Sequence, residues 1–496
     1  MIEPGTAIRD YEVWGKIGGG GMSDVWLARH TLLSVPLIVK TLKPSIGVAP
    51  SERYERMLNE ARLMARVHSD RVVRALDVGI HGDMPYLVQE YVDGIDLNEV
   101  DKRRRRALGR GLPLWYVCDA IARIAEGLHA AHHTGVLHRD IKPSNLFGSP
   151  EAGIKLGDFG IALGRGVGDA RSLDVSGTLR FMAPEALRGE AADRRADVFG
   201  LGATAFDLRY GFHPYADVQT LLHGLARPAF PPPVGPDEAY FQHVVARMLA
   251  VRPDDRYASL AEPRRKLAIL ARSLRPSTRG VRQPDGSLLV GKTRVVCEAG
   301  DIARADVEAI VCSSVPELRM STGVGQALLT TGGEEIEREA MAAGEQPLGA
   351  CVVTGGGRLT AKRVIHAVSA WREASCIGRT TQRALLAAEE EGLATIAIPA
   401  LGTGAARVTL ESAATAESHA LRWYLSLGGS RLRDVRFVLY DDAKLRAFRE
   451  VLEDNLAGGA DADTPELGIP ESGDRESIST DGPTFVTPGV ASTTRR

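Results

Sequence analysis

The periodic patterning of this chain breaks over residues 273–287, and a chain interrupted in that way folds as at least two bodies. The segment SLRPSTRGVRQPDGS combines prolines, glycines and an Asp285-Gly286 turn without helical spacing, so it reads as a linker or as a turn leading into a new strand. Before it, over 9–272, alternating strand patterns with Gly-rich turns give way to helical ones, as in Leu114 to Ala131. After it, over 288–456, strands and helices alternate: RVVCEA, EAIVCS, a helix around VGQALLTTGG, CVVTGG, RVIHAV, a helix around RALLAAEEEG, TIAIPAL, a helix from Leu410 to Leu427, and VRFVLY. That order predicts a three-layer α/β/α body with a substantially parallel sheet. From residue 457 to 496 the chain is rich in Gly, Ser, Thr, Pro and acids and has no apolar period, the composition of a disordered tail.

With 44% hydrophobic and 25% charged residues the composition is that of an ordinary globular protein. Lys and Arg number 61 against 63 Asp and Glu, so no overall basic field exists to recruit nucleic acid or an anionic membrane. Cys118, Cys297, Cys312, Cys351 and Cys376 form no CxxC pair, which argues for reduced thiols and against a structural zinc site. Nowhere do ~18 apolar residues follow one another, and the first residues lack a basic-then-apolar leader. A cytoplasmic protein without membrane or nucleic-acid partners is the expectation.

Within 9–272, Ile17-Gly18-Gly19-Gly20-Gly21-Met22-Ser23-Asp24-Val25 lies between two apolar strand-like runs. Such a turn lets backbone amides approach phosphates without interference from Cβ atoms, although a tight hairpin would use the same glycines. Lys40 follows in the apolar strand LIVKTL, a single cation suited to phosphate oxygens, and Glu60 in the helical stretch YERMLNEARLMARV can hold that lysine in place. Singly, each reads as a solvated charge. The run His138-Arg139-Asp140-Ile141-Lys142-Pro143-Ser144-Asn145, then Asp158-Phe159-Gly160, then Ala183-Pro184-Glu185, removes the ambiguity because the set is joint and ordered.

This order resembles the protein kinase family, specifically the bacterial eukaryotic-like serine/threonine kinases. The resemblance implies a two-lobed α+β fold, ATP and Mg²⁺ as cofactors, and protein substrates with Ser or Thr acceptors, this chain among them. It makes Asp140 the residue that accepts or orients the hydroxyl proton and Lys142 the residue that steadies the γ-phosphate. Asn145 and Asp158 would hold Mg²⁺, and Lys40 paired to Glu60 would hold the nucleotide phosphates. Ile17, Gly18, Gly19, Gly20, Gly21 and Val25 would cover the nucleotide. Gln89, Glu90 and Val92 would line the hinge, and Phe147 the opposite ring face. Lys142 and Thr178 match the serine/threonine pattern. Arg139 implies control by phosphate in an activation segment whose candidates are Ser172, Ser176 and Thr178. Glu185 and Arg256 match the family's buried ion pair, and Asp197 the brace of the catalytic loop. Two departures stand out: Ser23 at the third loop glycine, and Ile38 where the family carries alanine, which should crowd the adenine site. The Lys102 to Arg106 run, KRRRR, reads either as a solvated helix face or as a docking site for an acidic partner.

The segments GDIARADVEAIVCSS, STGVGQALLTTGG, PLGACVVTGGGRLTAKRVIHAVSAW, IAIPALGTGAARV and VRFVLYDD are similar to the macro domain family, whose ligand is ADP-ribose or a derivative. Gly-rich loops at strand carboxyl ends, each before a helix, suit a diphosphate. The resemblance assigns Asp301 to the adenine amino group, Gly323, Val324 and Gly325 to one phosphate loop, Gly402, Thr403, Gly404 and Ala405 to the other, and Tyr440 to the adenine face. Bland alternatives are a cap for Asp301, turn formers for the glycines and a half-buried Tyr440. Cys312-Ser313-Ser314-Val315 replaces the asparagine-rich segment of hydrolytic members, which favours a reader role. His366 reads as a core histidine and Cys312 as a structural thiol.

The expectation is therefore a two-lobed kinase fold, a linker, a macro domain and a tail. The competing readings are a catalytically weak scaffold with an ADP-ribose reader, and a macro domain that hydrolyses ADP-ribosyl bonds.

Overall fold

The alternating runs near the N-terminus become a six-stranded antiparallel sheet in the computed structural model, which describes residues 2–19, 23–43, 49–158, 179–215, 221, 227–321, 323–371, 374–404 and 406–458. Its strands are β1 (Ala7–Ile8), β2 (Tyr11–Gly19), β3 (Ser23–His30), β4 (Pro36–Leu42), β5 (Ala75–His81) and β6 (Met84–Glu90), in the order β1-β2-β3-β4-β6-β5. The two-residue period of β4 divides its side chains between the faces. Leu37 and Val39 join Tyr86 and Val88 in one core cluster, while Ile38 joins Ile17 and Leu27 in another. Helix α1 (Pro50–Ala65) packs through Met57, Ala61 and Met64 against Leu87.

The strand β7 (Ile95–Asp96) then leads into a mainly helical lobe. It contains α2 (Leu97–Leu108), α3 (Leu114–His133), the strands β8 (Leu146–Ser149) and β9 (Gly153–Leu156), α4 (Pro184–Leu187), α5 (Arg194–Tyr210), α6 (Pro236–Met248) and α7 (Ala261–Leu274). Strands β7, β8 and β9 form a small sheet under the hinge between the lobes. The cap of α2 is Asp96, which accepts the Glu99 amide, and Gly109 closes the helix in the left-handed conformation that glycine tolerates.

Over 273–287 the chain is partly ordered into the next body. Strand β10 (Val281–Arg282) pairs with β11 (Leu288–Val290) across the Asp285-Gly286 turn. The following elements are β12 (Thr293–Ala299), β13 (Ala309–Ser313), α8 (Gly323–Gly332), α9 (Glu335–Met341), β14 (Cys351–Gly355), β15 (Arg363–Ala367), β16 (Ala370–Trp371), β17 (Ala374–Ser375), α10 (Ile377–Glu390), β18 (Thr395–Ile398), α11 (Leu410–Ser426), β19 (Asp434–Leu439) and α12 (Asp442–Ala457). The main sheet runs β10-β11-β12-β19-β18-β13-β15-β14. Its five middle strands, from β12 to β15, are parallel and its outer pairings antiparallel. Strand β13 reads AIVCS with four buried residues in succession, as a strand covered on both faces must. Helix α12 was not among the expected elements, although Leu445, Phe448, Leu452 and Leu456 bury one face of it.

Met1–Ala460 form one compact unit, so the two bodies pack on one another rather than hanging from a linker. Among the described residues no helix is long and apolar enough to cross a membrane. Of the expected tail, Ala457 ends α12 and Gly458 caps it, while residues 459–496 lie outside the described residues.

Candidate active site and phosphate cradle

Strand β4 delivers Lys40 between the lobes, where its Nζ lies 2.7 Å from Asp158 Oδ1 and 3.3 Å from Glu60 Oε1 on α1. Burial works against the ammonium, but the two carboxylates outweigh it and hold Lys40 above its ordinary range. Burial raises Glu60, whereas Lys40 holds Asp158 below the usual carboxylate range.

Three residues converge in the loop that follows α3. Lys142 Nζ donates to Asp140 Oδ2 at 2.8 Å, and Asn145 Nδ2 donates to the Asp140 carbonyl at 2.8 Å and to its Oδ2 at 3.0 Å. The loop backbone is held by the buried carboxylate of Asp197, which accepts the amides of His138 and Arg139, each at 2.9 Å, and contacts His132 Nε2 at 2.7 Å. Arg139 has φ +66° and Asp158 φ +47°, left-handed values that a non-glycine residue keeps only when its surroundings enforce them. For Arg139 the enforcing contact is Asp197. Below, Arg256 grips Glu185 in a buried two-point pair at 2.7 and 2.8 Å.

The donor set fits Mg²⁺. Asp158 commits Oδ1 to Lys40 and Asn145 commits its amide nitrogen to Asp140, which leaves one carboxylate and one amide oxygen, the hard donors this ion takes alongside phosphates.

The nucleotide cover is less uniform. Gly20, Gly21, Ser172, Ser176 and Thr178 lie outside the described residues. Ile17 and Ile38 are buried and Val25 half-buried in a cluster that also holds Tyr91 of the hinge. Gln89 opposes Ile38 across the β4–β6 pairing and is itself buried, with its amide on Met64 Sδ at 3.5 Å. Val92 and Phe147 pack against the α1 cluster.

In the second body, Asp301 Oδ1 accepts the Ala303 amide at 3.0 Å and its second oxygen lies 3.7 Å from Arg304 Nε, so the carboxylate caps the turn that it opens. Gly323 begins α8 with φ +55°, and a side chain built there would meet open space. Val324 leans on the core and Gly325 is buried against Met320. Gly402 has φ +75°, Thr403 Oγ1 donates to the Ala400 carbonyl at 2.8 Å, and Gly404 also faces open space. Ala405 lies outside the described residues. Tyr440 is 90% exposed, not half-buried. The support of this loop has no signature in the sequence: fully buried Glu417 on α11 accepts the Leu401 amide at 2.7 Å, and burial pushes its carboxyl well above the usual carboxylate range. Cys312 is buried with its thiol pushed up to about 12, and His366 is buried, lowered by desolvation to about 4 and bonded to Thr354.

The KRRRR run finds its acidic partner within the chain. Arg103 donates twice to Glu390 Oε2, at 3.0 and 2.6 Å, and Arg106 reaches the same carboxylate at 3.7 Å. Arg104, buried, lies 3.6 Å from Glu389 and donates to the Leu427 and Gly428 carbonyls at 3.2 and 2.8 Å. The EEE of residues 389–391 on and after α10 was the signal that could have named this partner.

The two lobes and the lysine–acid constellation between them define a protein kinase. Residues 11–262 match the protein kinase domain, half of the chain, and the chain belongs to that family. Residues 315–416 match the macro domain. Among curated relatives, the chain is 32% identical over 306 residues to the serine/threonine-protein kinase Pkn1 of Myxococcus xanthus, covering 59% of this chain and 42% of that protein. It is 32% identical over 281 residues to the serine/threonine-protein kinase PknB of Mycobacterium tuberculosis, covering 54% of this chain and 44% of that protein. The chain thus spans less than half the length of these relatives. Among solved structures it aligns with the PknI kinase domain of Mycobacterium tuberculosis at 28% identity and a TM-score of 0.44, over 54% of this chain and all of that one.

Proposed function

We propose that residues 9–272 transfer the γ-phosphoryl group of ATP to serine or threonine hydroxyls of proteins, including this chain, and that a macro domain over 288–456, joined through 273–287 and followed by a tail over 457–496, binds ADP-ribose or a derivative. The work would be done in the cytoplasm, where ATP is abundant. The observation that carries the kinase reading is Lys40, held at 2.7 Å by Asp158 and 3.3 Å by Glu60 while Lys142 and Asn145 position Asp140. A lysine so anchored is aimed at the nucleotide phosphates, and Asp140 is positioned to orient the attacking hydroxyl and receive its proton. Mg²⁺ held by Asn145 and Asp158 would neutralise charge on the phosphates. Ile17, Gly18, Gly19, Gly20, Gly21 and Val25 would cover the nucleotide, Gln89, Glu90, Val92 and Phe147 would surround adenine, and Ser172, Ser176 and Thr178 supply the activation-segment hydroxyls.

The test is autophosphorylation with ATP and Mg²⁺, mapped by mass spectrometry, in wild type and Asp140→Ala. Phosphate on Ser172 or Ser176 that disappears in the variant is the expected result. No phosphate in either protein would sink the kinase reading and leave the scaffold.

For the second body the support is the pair of open loops at Gly323 and Gly404, with Asp301 and Tyr440 as adenine contacts and Gly325, Gly402, Thr403 and Ala405 completing the phosphate cradle. ADP-ribosylated proteins are the partners this implies. Gly404→Val has room in the fold, so it should remain folded yet lose ADP-ribose by tenfold or more in calorimetry. Equal binding would remove the cradle assignment.

A further inference from the structure

The second body touches the kinase at three places that move relative to one another when a two-lobed enzyme opens. On the upper lobe, the Leu348 amide donates to the Lys16 carbonyl at 2.9 Å, and Leu348 packs so closely on Gly15 that a Cβ there would lie 2.8 Å from Leu348 Cδ1. At the hinge, the half-buried Asp93 carboxylate accepts the Gly378 and Arg379 amides at the start of α10, at 2.8 and 3.0 Å, together with the Tyr91 hydroxyl at 2.9 Å. On the lower lobe, Arg383 grips Glu99 at 2.8 and 2.6 Å, and Gln382 donates to the Gly148 carbonyl at 3.0 Å.

These anchors straddle the hinge. The upper one also reaches the nucleotide side of the lobe: Leu318 and Leu348 belong to the same cluster as Ile17, Val25 and Ile38, the side chains assigned above to the adenine site. Leu318 has φ +59° and stands five residues before Gly323, the start of the phosphate loop. Its loop is tied to the Leu348 segment, because the Gln346 amide donates to the Pro316 carbonyl at 2.8 Å.

We propose that the macro domain is a clamp across the kinase hinge that restrains lobe opening, and that a ligand at the Gly323 loop tightens it through Leu318 and Leu348. The ligand half rests on the function proposed above. Kinase lobes must open for nucleotide to leave, so a body bonded to both lobes and the hinge slows that step. A ligand held against the Gly323 loop restrains the neighbouring Leu318 segment and slows it further, and by reciprocity bound nucleotide strengthens the ligand.

The experiment is stopped-flow release of a fluorescent ADP from the full chain, with and without saturating ADP-ribose, in wild type, Leu348→Ser and Gly15→Val. Leu348→Ser loosens the contact from the macro side and Gly15→Val wedges it from the kinase side. Two independent lesions guard against a folding artefact, and circular dichroism checks each. The expected result is release at least threefold faster in both variants, and at least threefold slower release with ADP-ribose in wild type alone. Rates within twofold of wild type in both variants would overturn the clamp. Calorimetry on the same samples separates the failures: no ADP-ribose heat removes the ligand half and the macro reading together while the variants still judge the clamp. No ADP binding at all removes the kinase reading and the clamp with it.

Discussion

Replacing Arg104 by methionine isolates the most deeply buried ionic contact between the two bodies. Arg104 and Glu389 are 1% and 0% exposed and 3.6 Å apart, an ion pair too long for a hydrogen bond. Burial lowers the arginine and raises the glutamate, so desolvation opposes both charges. Arg104→Met leaves Glu389 buried without its nearest counter-charge and strips the donor from the Leu427 and Gly428 carbonyls, which should cost about 3 to 5 kcal/mol. Arg104→Met combined with Glu389→Leu removes both charges and should recover most of that, because a well-packed apolar pair replaces a desolvated one. Trp115 donates to the Ser426 carbonyl at 3.2 Å and Trp423 to the Tyr116 hydroxyl at 2.9 Å, so tryptophan fluorescence reports on this interface. In urea, a slope of ~2 kcal/mol/M converts the loss into a midpoint lowered by roughly 2 M for the single variant. The deficit also depends on pH. A glutamate whose folded pKa lies above its unfolded value binds more protons when folded, so stability falls as pH rises between the two values. The single variant should therefore be closest to wild type near the ordinary glutamate range and weakest at pH 8. A single-variant loss below ~1 kcal/mol, or a double variant no better than the single, would refute the reasoning.

Two further outcomes follow from buried groups. Arg256→Ala leaves Glu185 buried and unpaired and frees three backbone carbonyls, on Ala250, Val251 and Arg195, so thermal unfolding should show the lower lobe weakened by ~3 to 5 kcal/mol. Glu417→Gln keeps a neutral acceptor for the Leu401 amide and should melt with wild type, whereas Glu417→Leu orphans that amide and should cost ~1 to 3 kcal/mol; equal melting of both would show that the contact does not support the loop.

What the sequence by itself determined is local or strictly ordered. The apolar run LIVKTL placed Lys40 on a strand as its single cation, and the order from His138 to Asp158 named residues that meet between the lobes. Strand and helix runs after residue 288 predicted the parallel sheet, because burial on both faces leaves an apolar signature that one segment carries alone. Helix α12 is equally legible in the spacing of Leu445, Phe448, Leu452 and Leu456. The tertiary structure decided what depends on distant partners. Nothing near KRRRR says that its arginines meet Glu389 and Glu390, nothing near Asp93 says that its carboxylate receives the first amides of α10, and Gly15 looks like any strand glycine until Leu348 is set against it. A charge run or a lone aspartate has the same local pattern whether it faces water or a second body. Only the packing of Met1–Ala460 into one unit distinguishes the two, because desolvation is a property of the surroundings and not of the residue.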